Sequence, residues 1–350
     1  MRPSDWLRPG VRAVAPYVPG EQPGRDRRVI KLNTNENPHP PSPRVLAALA
    51  GAIDPTIRLY PDPESTGLRE RASRVYGIPA DWIMAGNGSD ELLALIMRAM
   101  VDPGDRVAFP VPTYSLYDTM VAVQGGEAVR VPFDDDFRLP PQLARTGARV
   151  TLLTNPNSPS GTFVPIAEVE ALAAAVSGVL VVDEAYVDFA SDHALRLIGR
   201  HANVLVVRTL SKSFSMAGLR VGLVFGHPEL LAGLRTVKDS YNLNRLSQAA
   251  AEAALDDLPA MRENVARIIA TRGRLSAALQ ALGYRVLPSE ANFVMAVRPG
   301  TPQKPVAAAL AERGILVRYF DALPEALRIT VGTDEETDAL LAALETIPSR

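Results

Sequence analysis

Residues 204–212 read Val204-Leu205-Val206-Val207-Arg208-Thr209-Leu210-Ser211-Lys212. The apolar run at their start predicts a short strand that is buried on both faces, as the strands of a parallel sheet are. Lys212 then lies in a loop just beyond the strand, where its amine can reach an aldehyde and form a Schiff base. A lysine considered alone is more often a solvated surface residue. The residues around Lys212 therefore decide which interpretation holds.

Hydroxyl and guanidinium groups surround this lysine in the sequence. Thr209, Ser211 and Ser213 are its near neighbours, and Arg220 follows in the segment Ala217-Gly218-Leu219-Arg220. Such groups bind a phosphate ester well, because hydroxyls donate to its oxygens and the planar guanidinium adds a matching charge. A phosphate and an aldehyde bound by one loop suggest pyridoxal phosphate.

A second apolar run, Val179-Leu180-Val181-Val182, ends in Asp183-Glu184-Ala185-Tyr186. Ligands of α/β proteins bind at the carboxyl ends of such strands, so Asp183 is expected in the same crevice as Lys212. A carboxylate there can pair with a protonated pyridine nitrogen, while Tyr186 can donate to the phenolate oxygen. A single Asp at a strand end commonly caps the next helix. Its position on the strand before the lysine favours the catalytic interpretation.

A glycine-rich turn, Gly86-Asn87-Gly88-Ser89-Asp90, precedes an amphipathic helix. Backbone amides of such a turn and of a helix N-terminus bind anions, although capping of the helix by Ser89 is the simpler alternative. Glu91 stands where a dinucleotide-binding fingerprint needs its third glycine, so that fingerprint is absent. Together with the lysine loop, the turn predicts a phosphate bound by Gly88, Ser89, Asp90, Thr209, Ser211 and Arg220.

In combination these motifs make the chain resemble the fold-type I, aspartate-aminotransferase-like pyridoxal-phosphate enzymes, and within them the histidinol-phosphate aminotransferases. The resemblance runs from Leu32-Asn33-Thr34-Asn35-Glu36-Asn37-Pro38 to Leu327-Arg328-Ile329-Thr330-Val331-Gly332-Thr333. It implies an α/β fold with a mostly parallel sheet in a large domain and a smaller α+β domain. It also implies pyridoxal 5′-phosphate as cofactor and a homodimer.

The resemblance gives roles to further residues. Tyr114 would stack on the pyridine ring, and Tyr60 would reach the cofactor phosphate of the partner subunit; a packing residue and a loop anchor are the plainer alternatives. Arg328 would bind the substrate anion, which is a carboxylate in one half-reaction and a phosphate in the other. The substrate-binding residues predicted in this way are Tyr17, Asn35, Tyr241, Asn242, Arg318 and Arg328.

One segment departs from the family pattern. The family usually reads Asn-Asn-Pro-Thr-Gly where this chain has Asn157-Ser158-Pro159-Ser160-Gly161. The family's second asparagine donates to the phenolate oxygen of the cofactor, and the Ser158 hydroxyl is shorter. We expect that Asn157 or Asn155 compensates, or that Tyr186 makes this hydrogen bond alone. Asn157 is kept as a predicted cofactor-binding residue.

Composition narrows the function classes. The net charge is −2, from 37 basic and 39 acidic residues, which argues against a general nucleic-acid binder. No run of 18 apolar residues occurs, and prolines interrupt the first 20 residues, so neither a membrane span nor a secretory signal is expected. The absence of cysteine excludes disulfides and thiolate metal sites and is compatible with the cytoplasm. The four histidines lack metal-ligand spacing, so no metal is predicted.

The order of the elements predicts three parts. Residues 1–43 are rich in proline and form an arm that packs with the small domain and the partner subunit. Residues 44–245 alternate helical stretches with short strands, which is typical of a large, mostly parallel domain. Residues 246–350 form a smaller α+β domain, in which a long helical pattern stops at Gly283.

The implied reaction is a pyridoxal-phosphate-dependent transamination in histidine biosynthesis, in which histidinol phosphate and 2-oxoglutarate give imidazole acetol phosphate and glutamate. Lys212 would hold the cofactor and then move a proton at the substrate Cα, with Asp183 and Tyr186 tuning the ring. An aromatic amino-acid aminotransferase and a threonine-phosphate decarboxylase share these motifs and remain alternatives. A catalytically silent cofactor-binding regulator is disfavoured, because the sequence shows no helix-turn-helix extension or basic patch.

Overall fold

The structure is a computed structural model that describes residues 2–14, 19–24 and 29–347. These residues form twelve strands in two sheets. The strands are β1 (Ile30–Leu32), β2 (Ile83–Gly86), β3 (Arg106–Val111), β4 (Glu127–Pro132), β5 (Val150–Thr154), β6 (Val179–Asp183), β7 (Val204–Thr209), β8 (Gly222–Gly226), β9 (Arg285–Val286), β10 (Phe293–Val297), β11 (Ile315–Tyr319) and β12 (Ala326–Thr330).

The larger sheet has seven strands in the order β2-β8-β7-β6-β5-β3-β4. Strands β3 to β7 are parallel to their neighbours, whereas β8 runs antiparallel to both β7 and β2. The carboxyl ends of β5, β6 and β7 therefore meet at one edge, and Asp183 lies in register with Thr154. This mostly parallel sheet confirms the predicted fold class.

Burial on both faces explains why the central strands read as continuous apolar runs. Val204 and Val206 pack into the core on one face of the sheet, while Leu205 and Val207 pack into the core on the other. All four side chains are fully buried. Successive residues of a strand point to opposite faces, so a strand covered on both sides needs an apolar residue at every position.

Eleven α-helices accompany the sheets in the described residues. They are α1 (Pro9–Ala13), α2 (Pro43–Gly51), α3 (Thr66–Tyr76), α4 (Ser89–Met100), α5 (Leu116–Gln124), α6 (Ile166–Ala175), α7 (Pro228–Val237), α8 (Arg245–Leu255), α9 (Leu258–Ala281), α10 (Lys304–Glu312) and α11 (Asp334–Glu345). The long α9 ends where the sequence predicts, because Gly283 just beyond it adopts φ +86°, a left-handed conformation that favours glycine. Within the described part of the chain, none of these helices has the length and apolar character needed to span a bilayer.

The smaller sheet has five strands in the order β1-β11-β12-β10-β9. Strands β9 to β12 are antiparallel, and β1, from the predicted arm, adds to β11 in parallel. Helices α9, α10 and α11 share a hydrophobic core with this sheet through residues such as Ile268, Leu310 and Leu340. The predicted arm thus contributes a strand to the smaller unit. The boundaries at residues 43 and 245 stay predictions.

Candidate active site

A cavity of about 410 Å³ lies between the carboxyl edge of the larger sheet and strands β11 and β12. Most of the predicted site residues line it. From the larger unit these are Ser89, Asp90, Tyr114, Asp183, Tyr186, Thr209, Ser211, Lys212 and Arg220, and from the smaller sheet and the segment after β1 they are Asn35, Arg318 and Arg328. The fold therefore brings residues that are far apart in sequence to one cavity.

Lys212 lies three residues beyond the end of β7, and its amine projects into the cavity. Its Nζ donates a hydrogen bond of 3.3 Å to the Thr34 carbonyl. Asn37 donates to the carbonyls of Lys212 and Ser213, which ties the lysine loop to the segment after β1. Burial and then the positive charge of Arg328 lower the pKa of Lys212 to about 8, against a smaller opposing effect of Glu36.

Asp183 is buried at the end of β6, with only 3% of its surface exposed. One carboxylate oxygen accepts the Ala185 amide at 3.2 Å, and the other accepts the Tyr117 hydroxyl at 3.0 Å. Burial raises the pKa of Asp183 to about 7, and the negative charge of Asp90 adds to this, whereas the hydrogen bond from Tyr117 opposes it. Among residues 2–14, 19–24 and 29–347 no cation pairs with this carboxylate.

The turn before α4 lies against the Arg220 side chain. Gly88 has φ +84°, and a Cβ at this position would approach Arg220 Nη2 to 2.6 Å. A Cβ at Gly222 would lie 2.7 Å from the Ser89 amide nitrogen. Both glycines are thus required for the close approach of the turn, β8 and the guanidinium. Gly88 itself does not line the cavity, but it allows the Ser89 N-terminus of α4 and Arg220 to face the cavity together.

Two polar contacts hold this end of the cavity. Arg220 pairs with Asp90 at 3.2 Å, and Asp90 also accepts the Tyr114 hydroxyl at 3.0 Å. Arg220 Nη1 lies 3.5 Å from Ser211 Oγ, which in turn accepts the Thr209 hydroxyl at 2.9 Å. Hydroxyls, a guanidinium and a helix N-terminus therefore converge on one side of the cavity, as anion binding requires.

Tyr186 follows β6 and is 8% exposed. Its hydroxyl accepts a hydrogen bond of 3.0 Å from the Asn35 side chain. Asn35 is held from two sides, since Thr330 donates to its side-chain oxygen and Asn292 donates to its carbonyl. Burial raises the pKa of Tyr186, while the positive charge of Arg328 acts in the opposite direction. The tyrosine therefore keeps its proton and can donate it to an oxyanion.

Arg318 and Arg328 lie directly opposite each other on the antiparallel strands β11 and β12. Both guanidinium groups pack over the Phe320 ring, at 5.2 and 5.4 Å from its centroid. Arg328 also donates to the Asn33 carbonyl at 2.9 Å and to Ser158 Oγ at 3.2 Å. Like charges directly across a sheet repel, so an anion in the cavity relieves this repulsion.

Asn157 does not reach the cavity, contrary to the prediction. Its amide donates to the Pro112 carbonyl and to Ser160 Oγ, and its oxygen accepts the Thr113 hydroxyl. Asn155 is used in the same way, because both polar atoms of its side chain bind the Val164 backbone. These side chains fold the loop after β5, so neither replaces the family asparagine. The residue that lines the cavity here is Ser158.

Three other predicted residues lie outside the cavity of this chain. Tyr60 and Tyr241 stack on each other with ring centroids 4.3 Å apart, and they are 78% and 46% exposed. Asn242 is committed to Glu91 and the Ala85 carbonyl. The prediction that Tyr241 or Asn242 contacts substrate within the same chain is therefore wrong. Tyr17 lies outside the described residues.

Sequence analysis missed Tyr117, which is fully buried beneath the cavity. It stands three residues after Tyr114, at the start of α5, and this spacing places both rings on one face of the chain. The tyrosine pair was the available signal, but an apolar environment for the second ring is the commoner outcome. Glu36 and Asn37 were seen only as part of a motif, and their contacts with the Lys212 loop needed the structure.

Comparison with known proteins agrees with this geometry. Residues 27–344 match the family model described as aminotransferase class I and II. The chain belongs to the class I and II aminotransferase family. This confirms the predicted resemblance, and the match spans both sheets of the aminotransferase.

Named relatives are similar over nearly their whole length. A protein of Trichormus variabilis named histidinol-phosphate aminotransferase 1 is 45% identical to this aminotransferase over 344 residues, covering 97% of this chain and 98% of its own. Histidinol-phosphate aminotransferase of Syntrophotalea carbinolica is 45% identical over 343 residues, covering 97% and 99%. The solved structure of histidinol-phosphate aminotransferase from Sinorhizobium meliloti, in complex with pyridoxal-5′-phosphate, has a TM-score of 0.88 at 29% identity and covers 97% of this chain and 96% of its own.

Proposed function

We propose that this aminotransferase binds pyridoxal 5′-phosphate and uses it to transaminate histidinol phosphate with 2-oxoglutarate, a step of histidine biosynthesis. One observation carries the proposal: the Lys212 amine and the Asp183 carboxylate enter the same cavity from adjacent strand ends, between anion-binding groups on two sides. The names of the relatives support this substrate, and the complex from S. meliloti supports this cofactor.

The residues present fit the cofactor at each of its functional groups. A buried carboxylate without a cation in the described residues suits the pyridinium nitrogen. The Ser89 N-terminus, Ser211 and Arg220 suit the phosphate, and Lys212 suits the aldehyde. Tyr114 lines the cavity where a ring can stack. Gly88 and Gly222 leave space that a Cβ would fill.

Protons move through the side chains of this chain. The cofactor, when bound, supplies an electron sink for the charge left at the substrate Cα. Lys212 takes the Cα proton and returns it, because burial lowers the pKa of its amine to about 8, near the pH of the cell interior. Asp183 holds a proton on the pyridine nitrogen, since a buried carboxylate is stabilised by a cationic partner. Tyr186 donates to the phenolate oxygen and is oriented by Asn35.

Substrate anions bind at Arg318 and Arg328. Their guanidinium groups face one cavity from paired strands, so the same pocket holds the phosphate of histidinol phosphate and a carboxylate of glutamate in alternate half-reactions. Asn35 and Ser158 lie at the border between this pocket and Tyr186. Water exclusion by Phe320 strengthens both ionic contacts.

The active assembly is a homodimer in the cytoplasm. Tyr60 and Tyr241 stack at an exposed surface that also carries Ile53, Ile57 and Leu59, which are 49 to 66% exposed. A second copy of the chain would cover this apolar surface and place Tyr60 near the cofactor phosphate of the partner. Truncating Tyr60 to alanine should then weaken cofactor binding, and light scattering should give the mass of two chains.

The decisive experiment compares half-reactions on cofactor-loaded protein. The visible band of the bound cofactor should convert fastest with histidinol phosphate, and Lys212→Ala should abolish this conversion. Faster conversion with phenylalanine would point to an aromatic aminotransferase, and carbon dioxide released from threonine phosphate would point to a decarboxylase. Wild-type protein that takes up no cofactor would refute the proposal as a whole.

A further inference from the structure

Tyr117 occupies a position beneath the cavity that neither the family motifs nor the proposed mechanism uses. Its side chain is fully buried on α5, behind the Asp183 carboxylate. The hydroxyl donates to Asp183 Oδ2 at 3.0 Å and lies 2.7 Å from Thr154 Oγ1, in an orientation that allows either of these two hydroxyls to donate. A buried tyrosine hydroxyl with two partners is fixed in direction, because leaving either partner would expose an unsatisfied polar atom to an apolar core.

The ring of Tyr117 is fixed as firmly as its hydroxyl. It meets Phe109 edge to face at 5.7 Å and Tyr114 edge to face at 5.6 Å. Tyr114 in turn lines the cavity. The first turn of α5 therefore supports both the ring on which a cofactor can stack and the acid that faces its nitrogen.

The carboxylate of Asp183 is clamped from two directions. Oδ1 accepts the Ala185 amide on its own strand end, and Oδ2 accepts Tyr117 from α5. Two donors at opposite oxygens fix the plane of a carboxylate. The lone pairs that remain point toward the cavity that Asp183 lines.

We propose that Tyr117 is a positioning residue for Asp183, which holds the carboxylate in plane and limits how strongly it draws the proton of the pyridine nitrogen. The inference rests on the proposed function, because it needs a cationic ring opposite Asp183. A hydrogen bond donated to a carboxylate stabilises its charged form and makes it a weaker base. The proton then stays on the ring, where it maintains the electron sink.

The charges around Asp183 show why this donor matters. The titratable groups that act on it are Tyr117 from α5, Asp90 from α4 and Glu184 from the end of β6. Burial and both acidic neighbours raise the pKa of Asp183, whereas Tyr117 lowers it. Burial and the nearby Asp183 charge also raise the pKa of Tyr117 well above its usual value, so this tyrosine remains a donor at every physiological pH.

The test is Tyr117→Phe, which removes the hydroxyl and keeps the ring. The pH midpoint of the cofactor's visible band should move upward by about 0.5 to 1 unit, because a ring that shares its proton with Asp183 withdraws fewer electrons from the nitrogen contributed by Lys212. Cofactor affinity, measured by reconstitution of cofactor-free protein, should fall about tenfold, as expected for a lost hydrogen bond to a charged group.

Tyr284→Phe provides the matched control. Tyr284 is also buried, and its hydroxyl donates to Gln303 at 3.1 Å in the smaller unit, away from the cavity. This variant loses a buried tyrosine hydroxyl without touching the site, so its pH midpoint and cofactor affinity should equal those of the wild type. Equal effects of the two substitutions would mean that Tyr117 acts only on general stability, and the inference would be wrong.

Thr154→Val is the second variant, in case Tyr117→Phe does not fold. It removes the other partner of the Tyr117 hydroxyl while leaving the tyrosine in place. We expect a shift of the pH midpoint that is smaller than that of Tyr117→Phe. A midpoint that does not move in a folded variant of either position overturns the inference but leaves the proposed function standing, since that function is judged on wild-type cofactor binding and Lys212→Ala.

Discussion

The two walls of the cavity are built in opposite ways. At the carboxyl edge of the larger sheet, Asp183 is sequestered from water and clamped by Tyr117 and a backbone amide. On the smaller sheet, Arg318 and Arg328 stand across from each other and lean on an aromatic ring. The first wall concentrates negative charge that only a cation can match, and the second concentrates positive charge that only an anion can match.

This contrast separates two tasks. The larger sheet presents one rigid acid and one amine on adjacent parallel strands, which suits chemistry that is the same for every amino substrate. The smaller sheet presents a pair of repelling cations, whose repulsion is relieved when a phosphate or carboxylate binds. We therefore expect substitutions on the first wall to lower kcat and those on the second to raise KM.

Asp183→Asn should produce the largest effect, because it removes the charge of the first wall and keeps its shape. The asparagine can still accept from Tyr117 but cannot hold a proton on the pyridine nitrogen. We expect kcat for the half-reaction to fall by about 10²- to 10³-fold, the usual loss for a preorganised electrostatic group. Stopped-flow absorbance measures this rate. Asp338→Asn, which removes an exposed carboxylate paired with Arg274, is the control and should change kcat less than about twofold.

The same substitution should stabilise the protein without cofactor. The folded-state pKa of Asp183 is about 7, above its usual 3.8, so its contribution to stability is complete below pH 4 and is lost as the pH rises to 7. At pH 8 we expect cofactor-free Asp183→Asn to be more stable than the wild type by about 3 kcal/mol, and its Tm to be several degrees higher. The two proteins should converge near pH 4. A wild-type protein that is equally stable at pH 4 and pH 8 in this comparison would argue against a buried, unpartnered acid.

Lys212 should show the reverse pH dependence on the same wall. Its pKa is lowered to about 8 from 10.5, so its contribution is complete above pH 10 and is lost as the pH falls through 8. Comparison of cofactor-free Lys212→Met with the wild type between pH 7 and pH 10 isolates this contribution, since methionine preserves most of the side-chain length. The variant should gain stability relative to wild type toward pH 7.

Arg328→Lys tests the second wall. Lysine keeps the charge but cannot donate to the Asn33 carbonyl, to Ser158 and to a substrate anion at once. We expect kcat/KM to fall about 30-fold, mainly through KM, as for loss of a bidentate charged contact. Arg313→Lys is the control, because Arg313 donates to the Ala343 carbonyl outside the cavity. A fall in kcat with unchanged KM would merge the two walls into one functional unit.

The walls also differ in how well the sequence predicts them. Apolar runs followed by Asp183 and Lys212 predicted the first wall, because a strand covered on both faces and ending in a polar residue has few other uses. The antiparallel partner β8 and the edge strand β4 were harder: β4 is only partly buried, so its pattern lacks a continuous apolar run. The buried contact of Tyr117 with Asp183 joins α5 to β6, and no local pattern encodes it.

The second wall depended on resemblance rather than on pattern. Arg318 and Arg328 could be named from the family, but their pairing across β11 and β12 is a matter of register. Asn157, Tyr241 and Asn242 were misplaced for the same reason. A short polar residue in a loop can face either the cavity or the loop's own backbone, and the spacing of residues does not distinguish the two.

Ser158→Ala should have the smallest effect, and it tests the boundary between the walls. The hydroxyl accepts from Arg328 at 3.2 Å, so its loss should raise KM about fivefold while kcat stays within twofold. The family asparagine at this position acts on the cofactor instead, and that task then falls to Tyr186, whose hydroxyl is oriented by Asn35. Tyr186→Phe should therefore shift the pH midpoint of the visible band, whereas Ser158→Ala should leave it unchanged. An equal shift in both variants would mean that Ser158 still serves the cofactor wall, because a residue that only orients Arg328 has no path to the ring.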